Sequence, residues 1–417
     1  MRRKTGYVLT MLATVFVLAA CGNKAENQSA DMVTNETMVA VQEDVTEEQN
    51  VEELPESLSG AQENAAEVQM IVNTSVSAAE NAAVNTTVNA AQAAAPVGMY
   101  RSELTGEWIS STLQNQRPIA VMVDNEKVAL PHYGVNSADI VYELMNSTAN
   151  GRITRLMVVM KDWQSITQLG SIRSIRPTNF WLAAEYNAII CHDGGPFYIN
   201  EFVARDYCDN LSGGFARFSN GKRTEFTEYI TYNSYTNPTT GRTYAGLGQR
   251  IARAGYDTTY NEYYPGDHML FNYNGVNLSQ YTSAINGTTV LLPFPHNKSS
   301  LYYNAGTKTY DYYEYGIAHI DPLDNNAVTS FKNVILQDCS FLQYDAHGYM
   351  AYYAIAVNQP GYYLTEGKAI PILWSKISET SPTVFVNAET GEQINLNVGK
   401  TYIALVPSDK WAELVIQ

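Results

Sequence analysis

From about residue 105 the chain reads as short apolar runs separated by polar turns. Pro118-Ile119-Ala120-Val121-Met122-Val123 runs into Asp124-Asn125, the pattern of a buried strand ending in a turn. Asp139-Ile140-Val141-Tyr142-Glu143-Leu144 and Ile153-Thr154-Arg155-Leu156-Met157-Val158-Val159-Met160 predict two more strands. Residues Thr178 to Tyr186, following Pro177, predict a helix with Thr178 as its cap. Asn187-Ala188-Ile189-Ile190-Cys191-His192 returns to strand character. Leu247 to Ala254 predicts a second helix, with Leu247 and Ile251 on one face and Gly255 closing it. Strands mixed with helices predict an α/β domain over residues 106–268.

From about residue 270 the helical period fades. Lys332 to Gln337, Tyr349 to Val357, Tyr362-Tyr363-Leu364 and Thr401 to Val406 predict strands. Glu366-Gly367-Lys368 and Glu389-Thr390-Gly391-Glu392 are hairpin turns by composition. Residues 269–417 are therefore expected to form a mainly β domain. Tyrosines crowd into 256–264, 302–315 and 349–363. Tyr suits half-buried strands with a wet tip, and the same faces offer stacking surfaces for sugars.

The first hundred residues differ in kind. Arg2-Arg3-Lys4 precede an apolar stretch from Tyr7 to Ala20, too short for a stable span and ordered like a secretory signal. Leu18-Ala19-Ala20-Cys21 resembles a bacterial lipobox, which implies a signal peptide over 1–20 and a diacylated Cys21 as the mature N-terminus. Two or three acyl chains anchor stably where one holds marginally. The expected address is the outer face of the cytoplasmic membrane.

Residues 21–105 predict a disordered tether. Between residues 22 and 100 there are thirteen acidic side chains against the single base Lys24, and no aromatic residue before Tyr100. Such a stretch buries too little apolar surface to offset chain entropy. A flexible chain of about 80 residues spans roughly 50 Å. Most of the formal net charge of −16 therefore belongs to the tether rather than the head. The extracytoplasmic address and the lack of a basic stripe argue against nucleic acid as a partner. Cys191, Cys208 and Cys339 show no CxxC or metal-ligand spacing, leaving a Cys191–Cys208 disulfide or three isolated thiols open. His319-Ile320-Asp321 offers two ligands and no third in sequence, which argues against zinc.

The order of motifs carries a family resemblance. Arg117-Pro118-Ile119-Ala120-Val121-Met122-Val123-Asp124-Asn125 is followed by Ala138 to Glu143, Ile153-Thr154-Arg155, Gly170-Ser171-Ile172-Arg173-Ser174-Ile175-Arg176-Pro177 and His192-Asp193-Gly194-Gly195. Later come Asn333-Val334-Ile335, Gly367-Lys368-Ala369-Ile370, Trp374-Ser375-Lys376 and Gly399-Lys400-Thr401-Tyr402. In this order they resemble the YerB-like lipoproteins of Gram-positive bacteria, which implies paired N- and C-terminal domains on a membrane anchor. One departure is Thr231-Tyr232-Asn233-Ser234-Tyr235, where such proteins carry Pro-His-Asn-Leu-Tyr. A looser resemblance, from Asp139 through Gly195, is to LytR-CpsA-Psr phosphotransferases. It implies arginines and acidic residues around a pyrophosphate, in the transfer of phosphate-linked glycopolymer onto peptidoglycan.

Arg155, Arg173 and Arg176 are the candidate anion-binding residues. Guanidinium forks before a helix start can clamp carboxylate or phosphate. His192 and Asp193 are candidate acid/base or ligand residues, because strand ends are where α/β sheets bind. Gly194 and Gly195 would let a backbone approach a ligand. Asp124, Asp139 and Glu143 are weaker candidates for a metal around a phosphate ester. No P-loop, GxGxxG, HExxH or nucleophile elbow is present. Two readings follow: a non-enzymatic envelope protein that binds wall glycan (peptidoglycan), a wall precursor or a wall-synthesis protein, and an enzyme acting on phosphate-linked glycopolymer or glycan.

Overall fold

A computed structural model describes residues 95–417. The expected signal peptide, Cys21 and nearly all of the expected tether lie outside the described residues. The first described element is a hairpin of Met99–Arg101 against Trp108–Ser110, which straddles the expected boundary at 105/106.

The main sheet has eleven strands. Five come from the N-terminal half: β1 (Ile119–Asp124), β2 (Ile140–Met145), β3 (Thr154–Met160), β4 (Ile189–His192) and β5 (Asn210–Ser212). Six come from the C-terminal half: β6 (Ile285–Asn286), β7 (Asn333–Cys339), β8 (Ala356–Thr365), β9 (Lys368–Lys376), β10 (Val384–Asn387) and β11 (Thr401–Pro407). Their order is β6-β9-β8-β7-β11-β2-β3-β1-β4-β5, with β10 on β9. Strands from both sides of the expected 268/269 border thus share one sheet. The junction is the parallel pairing of β11 with β2, from Thr401 opposite Ile140 to Leu405 opposite Leu144.

Burial on both faces explains the continuous apolar runs. Ala120 and Met122 join one core with Tyr142, Met157, Phe180 and Trp374. Ile119, Val121 and Val123 join the opposite core with Val158, Leu301, Tyr310 and Tyr402. Helix α1 (Pro177–Ala184) packs in the first core with all eight residues buried. The second core is covered by α2 (Leu247–Ala254) and a six-stranded sheet. That sheet contains Thr289–Leu291, Ser300–Asn304, Thr309–Glu314 and Ser330–Phe331.

The expectation of an α/β N-terminal half needs correction in degree. The molecule is mostly β, and α1, α2 and a single turn at Asn200–Val203 are the only α-helices among the described residues. Between Asn200–Val203 and Leu247–Ala254 the chain forms short strands and a 3-10 turn rather than crossover helices. Thr178 does not cap α1. Arg176 occupies the cap position, and Thr178 Oγ1 accepts from Tyr352 N–H at 2.8 Å. Cys191, Cys208 and Cys339 are unpaired thiols, so no disulfide joins them.

Candidate functional site

Strands β1, β2 and β4 point the same way, because β4 is parallel to β1 and both β1 and β2 flank antiparallel β3. Their carboxyl ends, at Asp124, Met145 and His192, therefore meet at one edge of the sheet. The Ser171–Arg176 loop crosses that edge. Arg173 N–H donates to Met122 O at 2.9 Å. Asp193 N–H donates to Arg173 O at 3.0 Å, and Ile175 N–H donates to Gly194 O at 3.1 Å. The arginine loop and the His192–Gly195 turn, remote in sequence patterning, are laced side by side.

Three guanidinium groups converge there. Arg173 Nε lies 2.6 Å from Asp124 Oδ2, whose carboxylate is buried. Arg155 faces Asp124 in the β1–β3 register and donates through Nη1 to Ser174 O at 2.6 Å and Ser174 Oγ at 2.9 Å. Arg176 donates through Nε to Asn146 O at 3.0 Å and through Nη1 to Ile175 O at 2.9 Å. Asp124 is the only carboxylate in ion-pair contact with this cluster among the described residues. Burial, reinforced by Arg155, lowers the pKa of Arg176 to about 9. Burial also lowers Arg155, to about 10, with Arg173 adding repulsion. Both remain cations at neutral pH. Arg155 Nε and Ser171 Oγ are buried without a hydrogen-bond partner. Positive charge in excess, with donors unspent, is the electrostatic requirement of an anion site. Arg173, with its side chain 32% exposed, is the member of the cluster that reaches solvent.

An aromatic shelf adjoins the cluster. The Arg176 guanidinium lies 4.9 Å from the Tyr349 ring centroid. Tyr349 N–H donates to Asp345 Oδ1 at 3.3 Å, and Asp345 Oδ2 accepts from Tyr198 OH at 3.2 Å. Tyr198 stacks on Tyr344 at 4.5 Å, and Phe197, 71% exposed, packs on Tyr198 at 3.9 Å. Both halves of the chain build this shelf.

The other candidates divide. His192 is buried with both ring nitrogens engaged, Nδ1 with Gly194 O at 2.8 Å and Nε2 with Asn210 Oδ1. Burial lowers its pKa. It braces the turn. Gly194 sits at φ +71° with open space around it, whereas a side chain at Gly195 would meet Ile199 and the Ile175 carbonyl. Asp193 is partly exposed and lies 3.5 Å from Arg217 Nη2. Arg217 also pairs with Glu228 at 2.8 Å. Burial, then the Asp193 contact, raises Glu228 to a pKa of about 7.

Asp124, Asp139 and Glu143 do not come together. Asp139 lies at the opposite end of β2 and accepts from Lys161 N–H at 2.7 Å. Glu143 is mid-strand and accepts from Thr154 Oγ1 at 2.7 Å, Ser299 Oγ at 2.6 Å, Tyr312 OH at 2.9 Å and Tyr402 OH. The sequence pattern did not mark out Asn146, Phe197, Tyr198 or Glu228. The available signal was the Phe197-Tyr198 pair following the Gly194-Gly195-Pro196 turn.

These two halves match two family models. Residues 104–256 match the protein of unknown function (DUF3048) N-terminal domain, and residues 290–403 match its C-terminal domain. The chain belongs to this family. One relative, "Putative lipoprotein YerB" of Bacillus subtilis (strain 168), is 31% identical over 140 residues, covering 33% of this chain and 40% of the relative. The sequence match thus spans less than half of that relative's length. The crystal structure of the Bacillus subtilis YerB protein superposes with a TM-score of 0.61 at 20% identity, covering 76% of this chain and 99% of the other. That likeness establishes the fold.

Proposed function

We propose that this chain is a lipid-anchored envelope protein whose head binds a phosphate-bearing wall glycan or wall precursor at the outer face of the cytoplasmic membrane. The observation that carries the reading is the clustering of Arg155, Arg173 and Arg176 at one end of the sheet, where the only carboxylate ion-paired with them among the described residues is Asp124, held by Arg173. The adjoining shelf of Phe197, Tyr198, Tyr344 and Tyr349 supplies faces on which sugar rings stack. The lipobox at Cys21 and the name of the Bacillus subtilis relative support the anchor. Among the described residues no helix is long and apolar enough to cross a membrane.

Binding rather than catalysis is favoured because His192 has no free nitrogen near the arginines. A second reading, an enzyme on phosphate-linked glycopolymer, draws on Glu228. A carboxyl group with a pKa of about 7 beside Arg217 and Asp193 is suited to proton transfer.

The test is capture from wall extracts by the full-length protein in detergent, comparing glycan, lipid-linked precursor and protein fractions. The binding reading expects enrichment of phosphate-bearing material that is recovered unchanged. Recovery of cleaved or transferred product favours the enzyme, and enrichment of no fraction contradicts both.

A further inference from the structure

The second buried polar cluster lies between the main sheet and the smaller one. His132, in the loop after β1, meets Glu314 and His319 from the C-terminal half. His132 Nδ1 lies 2.7 Å from His319 Nε2, and His319 Nε2 lies 3.8 Å from Glu314 Oε1. One ligand atom from each of the three falls within 4.8 Å of the others. All three side chains are buried, and neither Glu314 oxygen has a hydrogen-bond partner. Among the described residues, His319 is the sole basic side chain within ion-pair distance of Glu314.

We propose that His132, Glu314 and His319 bind a divalent transition metal, zinc by ligand type, as a structural tie between the two halves. Sequence spacing argued against zinc because His319 had only Asp321 nearby. The fold supplies the missing ligands instead, while Asp321 is spent on Asn136 N–H and Leu323 N–H, each at 2.9 Å.

Hydrogen bonding prepares His319 as a ligand. Asn136 Nδ2 donates to Asp324 Oδ2 at 2.9 Å, which turns its Oδ1 toward Thr329. Thr329 Oγ1 donates to that Oδ1 at 2.6 Å and so accepts from His319 Nδ1–H at 2.7 Å. His319 Nε2 then keeps its lone pair, aimed at His132 and Glu314. Such a partner on the far nitrogen is the usual support of a metal-bound imidazole. The proton between the two imidazoles would move to His132 Nε2, which has no partner. Two imidazoles and a carboxylate form a zinc-type ligand set, leaving one position of four. Zinc–nitrogen bonds of about 2.0–2.1 Å at tetrahedral angles set the nitrogens about 3.3 Å apart. The imidazoles would therefore part slightly on binding. Burial and the nearby Glu143 carboxyl disfavour the ionised form of Glu314, and a divalent ion would supply the counter-charge that form needs.

The experiment uses full-length protein in detergent, purified without chelator and also unfolded and refolded with or without zinc chloride. Metal content is measured by mass spectrometry and stability by thermal melting. The expected result is one zinc per chain in the zinc-refolded wild type and a melting temperature raised by several degrees. Glu314→Gln removes the carboxyl ligand without changing shape. It should fold, melt no lower than metal-free wild type, and lose the zinc response. Cobalt in place of zinc should give the visible absorption of a tetrahedral site in the wild type only. No zinc uptake by refolded wild type, or an equal response in Glu314→Gln, would overturn the proposal.

Discussion

Arg173 and Asp124 form the contact on which the candidate site turns. Asp124 is buried at the end of β1, and Arg173 reaches it from the crossing loop while remaining partly exposed. Arg173→Lys keeps a cation beside Asp124 but loses the planar fork that grips phosphate bidentately. We expect a melting temperature within a few degrees of wild type and a roughly tenfold weaker affinity for phosphate-bearing polymer, the loss of about one charged hydrogen bond. Arg173→Ala leaves Asp124 buried without its partner, and thermal or urea melts should show a loss of about 3 kcal/mol.

Asp139 gives a pH prediction at the same scale. Burial raises its carboxyl to a pKa of about 7 in the folded chain, against about 3.9 unfolded. Between those values the folded state holds the proton and the unfolded state does not, so this group's contribution to stability falls as pH rises from about 4 to 7. Asp139→Asn should gain stability relative to wild type across that window in denaturant titrations. A difference that stays flat with pH would refute the assignment.

Among the elements, those whose pattern is local were legible. Ile119–Asp124, Thr154–Met160, Leu247–Ala254 and Thr401–Pro407 form where their apolar runs or helix signals place them. The Glu366-Gly367 turn joins β8 to β9, as its hairpin chemistry requires. Tyr349 to Val357, read as one strand, is broken at Tyr353, whose N–H donates to Ser340 O at 2.8 Å. No local pattern specifies that pairing. The three arginines were legible because they cluster at a Gly-to-Pro loop and a strand start. The Phe197–Tyr198–Tyr344 stack and the His132–Glu314–His319 group were not. Each joins segments more than a hundred residues apart, so only the strand order brings them together. Strand β11 decides that order. Ile403, fully buried in it, packs with Tyr142 and Ile335 in one core. Ile403→Ala should cost about 2–5 kcal/mol in urea unfolding.

Over the whole molecule, the two family regions share a backbone ladder as well as cores on both of its faces. Buried Glu185, just beyond α1, accepts from Tyr142 OH at 2.7 Å and from Thr383 Oγ1 at 2.6 Å, and lies 3.4 Å from Lys376 Nζ. Separating the halves would expose the edges of β2 and β11 and strand this carboxylate. Residues 104–256 expressed alone should therefore aggregate or remain unfolded, while the full chain should melt in one transition of its head. Two separate transitions would show the halves to be independent.

The arginine edge is proposed to be an anion site. It is tested most directly by isothermal titration of the full-length protein in detergent with a purified phosphodiester-linked wall glycopolymer. The same polymer stripped of phosphate and the Arg173→Lys variant serve as controls. The account expects saturable binding that weakens with salt, falls about tenfold in the variant and disappears with the stripped polymer. Equal heats for intact and stripped polymer, or for wild type and variant, would contradict it.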